Sequence, residues 1–289
     1  MTRFLAAVVV VAASGARFVQ AAEMQYPLSV AASPDGTIFV ADKDVPGIWK
    51  IAGGKLELFF KASKKFRTPL NAVRCVAVDA QGRLVAGDSA TREIYRFNSE
   101  GKPEPLTSGG IGIPMAIAFD RKGDILVCDL ELHQIVKVPD AGGEPVKVAD
   151  VTAPRGIAVD EQDRIWVVSA GGKMDQVVRV LPEGVMETVV EGRPFQLPHN
   201  IALDKKQNAY ICDNYSQAIW KVSPGAKPEK WISGKPLDKP VGITFAGDRL
   251  LIADPHAKKI FEATLDGKLS ALKFEAPGKS EAGKSEAGK

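Results

Sequence analysis

The sequence predicts an all-β protein built as a six-bladed β-propeller, with four antiparallel strands in each blade. A recurring pattern opens with a proline slot, runs through two short apolar strands joined by a polar turn, and in five of its copies ends in aspartate. The closing position recurs every 40 to 46 residues, which is the length of one propeller blade. No helical hydrophobic period interrupts these copies. The six copies occupy residues 27–42, 73–88, 114–129, 154–169, 198–213 and 240–254.

Each part of the repeat suits one position in a blade. The first strand is apolar and rich in small residues, as in Ile157-Ala158-Val159, and small residues suit the crowded innermost position. The fourth strands carry the most charge, which suits the outer rim. A sheet with two apolar faces cannot bury both alone, whereas six sheets stacked around an axis can. We expect six whole blades between Pro27 and Phe274, with no strand exchanged across the closure.

The two ends of the chain differ from the repeats. Residues 1–22 read as a signal peptide: Arg3 precedes a short apolar run, and Val19-Gln20-Ala21 offers a small-residue cleavage site. We therefore expect a secreted or periplasmic protein, with an uncleaved membrane anchor as the alternative. Residues 23–274 form the propeller, and the repetitive, polar residues 275–289 read as a disordered low-complexity tail.

Composition restricts the classes of partner. The chain is 45% hydrophobic and 25% charged, an ordinary globular balance. Cleavage would remove two arginines and lower the formal net charge from +3 to +1, and no basic stripe with interleaved aromatic residues is present. We expect a monomer that binds no nucleic acid and has no membrane span in its mature chain. The three cysteines, Cys75, Cys128 and Cys212, lack a Cys-x-x-Cys pattern and read as small buried apolar residues.

The repeat resembles a known family. The pattern Pro-x-Gly-Ile-Ala-Val-Asp, then Gly, then an aromatic-Val-Ala-Asp ending is similar to the NHL repeat and to the wider group of six-bladed propellers that includes gluconolactonase, regucalcin, strictosidine synthase-like proteins and the peptidyl-amidating lyase. The resemblance covers residues 27–274. It implies the fold strongly and the function weakly, because this fold hosts hydrolases, lyases and binding modules.

One face of the predicted disc collects the candidate site. The residue after the proline slot and the closing aspartate lie at the same end of an antiparallel pair. The slot residues therefore form a ring at the mouth of the central channel, with Arg74 facing His199 across it. We call these six positions the mouth ring. Its members are Leu28, Arg74, Met115, Arg155, His199 and Val241.

The mouth ring predicts an anion-binding site. Guanidinium groups bind carboxylate and phosphate in a bidentate manner, so Arg74, Arg155 and His199 are the predicted ligand-binding residues for a small anionic molecule or a peptide. The alternative is that the two arginines pair with closing aspartates as structural struts. His199 is also a candidate general base, its alternative role being a neutral histidine bonded to a neighbouring loop.

Metal chemistry is the competing hypothesis. The closing acids Asp42, Asp88, Asp129, Asp213 and Asp254 could form a metal ring, but caps of the following turns are the favoured interpretation. His133, His199 and His256 fall on one face and are the weaker candidates for zinc. The resemblance implies a divalent cation, held in gluconolactonases by a Glu, Asn and Asp set that the ring lacks.

No cofactor is predicted from the residues themselves. The alternative functions are a hydrolase or lyase dependent on Ca²⁺ or Zn²⁺, of lactonase or amidating-lyase type, and a protein-interaction scaffold.

Overall fold

Six small antiparallel sheets form the protein, a computed structural model of which describes residues 23–276 except 64, 66, 173 and 174. The predicted six-bladed propeller is confirmed: every sheet has four strands, consecutive in sequence, and the described residues contain no helix. The predicted signal peptide and most of the predicted tail lie outside the described residues. In the described part of the chain, no helix could cross a membrane.

The first three blades follow the chain in order, with the first strand innermost. Blade one comprises β1 (Pro27–Ala32), β2 (Ile38–Asp42), β3 (Gly47–Ala52) and β4 (Lys55–Lys61); blade two comprises β5 (Val73–Val78), β6 (Leu84–Asp88), β7 (Glu93–Phe97) and β8 (Pro103–Pro105); blade three comprises β9 (Pro114–Phe119), β10 (Ile125–Asp129), β11 (Gln134–Val138) and β12 (Val146–Asp150).

The last three blades repeat this order. Blade four comprises β13 (Pro154–Val159), β14 (Ile165–Ser169), β15 (Val177–Val180) and β16 (Met186–Val190); blade five comprises β17 (Pro198–Leu203), β18 (Ala209–Asp213), β19 (Ala218–Val222) and β20 (Glu229–Ser233); blade six comprises β21 (Gly242–Ala246), β22 (Arg249–Asp254), β23 (Lys259–Thr264) and β24 (Leu269–Ala271). The innermost strands contact one another in a closed ring, β1 to β5 and onward to β21 and back to β1.

The hydrophobic core is divided among the blade interfaces. The buried apolar residues form six clusters, each of which joins two neighbouring blades. Trp49 and Trp166 are buried in two of these clusters, and the three cysteines are buried and free. The second strands of blades one to five are buried at every position, whereas outer strands such as β12 and β20 are largely exposed. Each blade therefore depends on both neighbours for burial of its two faces.

The closure has one feature beyond the sequence-based expectation. No strand is exchanged, but the chain after β24 runs onto blade one. Leu56 N–H donates to the Glu275 carbonyl at 3.0 Å, and Glu275 N–H donates to the Gly54 carbonyl at 2.8 Å. Leu272 and Phe274 pack against the cluster shared by blades six and one. The first residue of the predicted tail is thus hydrogen-bonded to the propeller.

Closing aspartates hold the strand ends together at the channel mouth. Asp129 is fully buried and accepts four backbone N–H groups, two from Gly112 and Ile113 before blade three and two from Glu131 and Leu132 after β10. The other four closing aspartates are equally buried. Each accepts backbone N–H groups both from the segment before the first strand of its blade and from the turn after the second strand; they are Asp42, Asp88, Asp213 and Asp254. The favoured interpretation of these acids as caps is confirmed.

We expect Asp129→Ala to lower the free energy of unfolding by about 3–5 kcal/mol, because four backbone N–H groups lose their buried acceptor. Urea denaturation measures the change. The control is Asp150→Ala in the same blade, which breaks only an exposed ion pair with Lys147 and should change stability by about 0.5 kcal/mol or less. Equal shifts of the two denaturation midpoints would contradict the capping role.

Candidate functional site

The six mouth-ring residues line one cavity of about 470 Å³ at the end of the central channel. All six were predicted to meet there, and the structure brings them together. Eleven further residues complete the lining: Tyr26, Ser29, Lys43, Ile113, Leu130, Leu197, Asn200, Asn214, Tyr215, Lys239 and His256. The cavity volume lies in the range of small-molecule sites.

In five of the six blades, a β-bulge directs the mouth-ring side chain into the cavity. In blade four, Pro154 pairs with Ser169 and Gly156 pairs with Val168, so Arg155 is the extra residue between two paired positions. The same register shift lies at this position in blades one, two, three and five. A bulge leaves its extra residue out of the ladder and re-aims its side chain. The repeat pattern contained no signal for these bulges.

Arg155 and His199 meet at the boundary of blades four and five. Arg155 Nη1 lies 3.5 Å from His199 Nε2. Gly156 allows this approach, since a Cβ built there would lie 2.5 Å from the Asn200 Cα. The sequence analysis placed His199 opposite Arg74 in blade order and did not predict this contact of His199 with Arg155 of the neighbouring blade. The Nε of Arg155 is buried and has no hydrogen-bond partner in the described structure.

The cavity lining is cationic and contains no acid. Arg74 Nε donates to Ser89 Oγ at 3.1 Å, and no ion pair joins Arg74 or Arg155 to a carboxylate among the described residues. The strut alternative for these arginines is therefore wrong. Lys43 and Lys239 add two further ammonium groups, and the lining includes neither aspartate nor glutamate.

Two lysine–tyrosine pairs were missed by sequence reasoning. Lys43 Nζ lies 5.2 Å from the ring centre of Tyr26, and Lys239 Nζ lies 5.8 Å from that of Tyr215. These distances are typical of cation–π contacts. Their position in the repeat could have predicted them, because all four residues lie within two positions of a proline slot or a closing aspartate. Extending the ring by these flanking positions would have found them.

The three histidines do not converge. His256 lines the cavity and contacts Tyr26 edge to face, with ring centres 6.1 Å apart. His133 is exposed and outside the cavity lining, and its Nδ1 accepts the Ala153 N–H at 2.9 Å. Only His199 and His256 of the three zinc candidates therefore share the cavity.

Comparison with known proteins settles the family. Residues 7–212 match the SMP-30/Gluconolactonase/LRE-like region, which is well over half of the chain. The chain belongs to the SMP-30/gluconolactonase family. The predicted resemblance to gluconolactonase-like propellers is thereby confirmed.

Solved structures share the fold of this gluconolactonase-family chain. A gluconolactonase from Xanthomonas campestris has a TM-score of 0.70 at 17% identity and covers 87% of this chain and 88% of its own. Virginiamycin B lyase from Staphylococcus aureus has a TM-score of 0.68 at 17% identity and covers 89% of each chain. At such identities the likeness shows the fold alone.

Two curated relatives, the human and mouse E3 ubiquitin-protein ligase TRIM32, are matched over a short region. Human E3 ubiquitin-protein ligase TRIM32 is 34% identical over 83 residues, which is 29% of this chain. The match covers only 12% of the length of TRIM32.

The residues of this gluconolactonase-family cavity do not fit a divalent cation. Hard cations require several converging oxygen ligands, usually carboxylates, and the lining has none. The closing aspartates beneath the mouth are already occupied by backbone N–H groups. Among the described residues, no three His, Cys, Asp or Glu side chains are grouped as metal ligands.

The electrostatics of the cavity keep His199 neutral. Burial and, to a smaller extent, the nearby charge of Arg155 lower the pKa of His199 from 6.5 to about 4, and the charge of Asp213 partly offsets these two effects. Burial also lowers the pKa of Arg155. At neutral pH the imidazole is therefore uncharged and the guanidinium is a poorly solvated cation.

We expect the His199 imidazole to titrate near pH 4 in an NMR experiment. Because its folded pKa is below the unfolded value of 6.5, its contribution to stability is complete above pH 6.5 and is lost as the pH falls through 4. Arg155→Gln should raise the His199 pKa. His133→Gln, outside the cavity, should leave the His199 titration unchanged. A His199 pKa near 6.5 in the wild type would contradict this environment.

Proposed function

We propose that this propeller binds a small anionic ligand in the cavity at the channel mouth. The observation that carries the proposal is the lining itself, which holds four cationic side chains and no carboxylate. Arg74, Arg155 and His199, the residues predicted from sequence, all belong to it. The four cations are Lys43, Arg74, Arg155 and Lys239.

Arg155 supplies the strongest reason to expect an anion. A buried N–H without an acceptor costs about 1–3 kcal/mol, and more when the group is charged. The Nε–H of Arg155 is in this state, and its neighbour His199 is neutral and brings no counter-charge. A carboxylate or phosphate in the cavity that the Arg155 guanidinium lines would compensate this desolvated charge. Arg74 presents a second guanidinium, bonded through Nε to Ser89.

Family membership favours a second candidate, a hydrolase or lyase of the lactonase type. The chemistry of the lining disfavours its metal-dependent form, since no carboxylate faces the cavity. His199 is also a weak general base at neutral pH, because efficient bases have pKa values near the working pH. A scaffold role remains the third hypothesis; it requires a binding surface outside the cavity.

We further propose that the protein is exported. The support is the N-terminal sequence alone, with its short apolar run and small-residue cleavage site. Mass spectrometry of the protein recovered from its producing cells tests this proposal. A mature chain starting near residue 23 supports export, and an intact Met1 contradicts cleavage.

We expect inorganic phosphate at pH 7 to bind the wild type in a saturable manner. Arg155→Gln should weaken binding about 10- to 100-fold, because one charge-assisted hydrogen bond contributes about 1.5–3 kcal/mol. Arg74→Gln should weaken it less, because the Nε of Arg74 already has a protein partner. Isothermal titration calorimetry measures the affinities.

The matched control is Arg249→Gln, which removes an exposed arginine paired with Glu262 on blade six. This variant should bind phosphate as the wild type does. Binding that is undetectable in the wild type, or that survives unchanged in both cavity variants, would overturn the proposed function.

A further inference from the structure

The cavity lining is divided into two chemically distinct sectors. Blade three contributes only apolar side chains, Ile113, Met115 and Leu130, all partly exposed. Blades two and four contribute one residue each, Arg74 and Arg155. An apolar sector spanning one blade is therefore flanked on both sides by guanidinium groups. Blades five, six and one supply the remaining lining, which includes every tyrosine, lysine, asparagine and histidine.

From this division we infer that the ligand is a small apolar carboxylic acid, whose carboxylate binds Arg155 and whose hydrocarbon body lies on Ile113, Met115 and Leu130. The inference rests on the proposed function and specifies its ligand class. A fully hydrated anion such as phosphate would leave the blade-three sector exposed to water. An acid with an apolar body buries that sector and also places its carboxylate against the desolvated guanidinium of Arg155.

Met115 is the central specificity residue of this sector. It occupies the mouth-ring slot of blade three, between Arg74 and Arg155 in blade order, and its inner part packs on the core cluster shared by blades three and four. Its flexible thioether chain adapts to apolar ligands of differing shape. The equivalent slot of blade one holds Leu28, whose lining neighbours Tyr26, Ser29 and Lys43 are polar or aromatic. Leu28 is therefore a matched comparison for Met115.

The cavity size favours a free acid over a peptide end. A volume of about 470 Å³ accommodates a compact small molecule. A second space of about 270 Å³ is lined by the six innermost strands and shares Ser29 and Asn200 with this cavity. A peptide chain would instead have to extend out of this volume into solvent.

The test compares three probes by calorimetry at pH 7: acetate, 4-phenylbutyrate and the uncharged 4-phenyl-1-butanol. We expect phenylbutyrate to bind at least about 10-fold more tightly than acetate, because burial of the phenyl group contributes about 1.5–3 kcal/mol. Phenylbutanol should bind far more weakly than phenylbutyrate. Equal affinities for acetate and phenylbutyrate would overturn the inference.

Variants locate the apolar contact. Met115→Ser should reduce phenylbutyrate affinity about 10-fold and leave acetate affinity unchanged, whereas Leu28→Ser should change either by about twofold or less. Met115→Gln, which preserves the length of the side chain, provides the same comparison if Met115→Ser does not fold. If Met115→Ser and Leu28→Ser reduced the affinity for phenylbutyrate equally, this would contradict binding of the apolar body on blade three.

Two further outcomes separate the hypotheses. If acetate and phosphate bind through Arg155 with no gain from the phenyl group, the proposed function stands and the inference fails. If no anion binds, both the proposed function and the inference fail.

A peptide probe tests whether the carboxylate belongs to a small acid or to a peptide end. The probe is a short peptide ending in phenylalanine with a free carboxylate, and it is compared with the same peptide as its C-terminal amide. Tighter binding of the free peptide than of phenylbutyrate would overturn the assignment to a small acid.

Discussion

The buried closing aspartate is the interaction on which the geometry of the channel mouth depends. In five blades its carboxylate accepts backbone N–H groups from the segment that enters the innermost strand and from the turn that follows the second strand. In blades one, two, three and five, these bonds hold together the two strand ends between which the bulged mouth-ring residue lies. In blade four, Ser169 takes the closing position, and its hydroxyl donates to the Thr152 carbonyl and accepts the Gly171 N–H. The bonds to the aspartates also fill the oxygen positions that a metal ion would need. The same contact thus builds the mouth and leaves its cationic side chains without acidic partners.

A closed ring of blades then places charge where water has limited access. The six interface clusters hold neighbouring blades in contact, so that the close approach at Gly156 brings blade five against blade four. Arg155 and His199 meet there, and burial lowers the pKa of both groups. The energetic cost of desolvating Arg155 is compensated by no carboxylate among the lining residues. An anionic ligand is the natural complement to such a group.

The repeat pattern was sufficient to predict the blade number and the membership of the mouth ring. This succeeded because the proline slot and the closing aspartate mark the same end of every blade. The pattern was insufficient for contacts between blades. It placed Arg74 opposite His199 correctly in blade order. It did not predict that Arg155 contacts His199, because this contact depends on Gly156, where a side chain would collide with the backbone of the neighbouring blade.

Local backbone geometry accounts for the other differences. His133 has a positive φ of 53° in the turn after β10, and its ring bonds the Ala153 N–H instead of facing the cavity. The bulges arise from strand register, which hydrophobic alternation alone does not specify at a strand end. The two lysine–tyrosine pairs flank the repeat positions, and the residues at these flanking positions differ from blade to blade. A pattern based on residues common to all blades therefore does not predict Tyr26, Lys43, Tyr215 and Lys239.

Anomalous diffraction from ion-soaked crystals is the most direct measurement of whether the mouth is an anion site. One crystal is soaked in sodium bromide and another in manganese chloride, and each anomalous map is inspected within the cavity lined by Arg74, Arg155 and His199. The cationic, carboxylate-free lining predicts a bromide peak beside Arg155 and no manganese peak in the cavity. A manganese peak there, with no bromide beside Arg155, would contradict it.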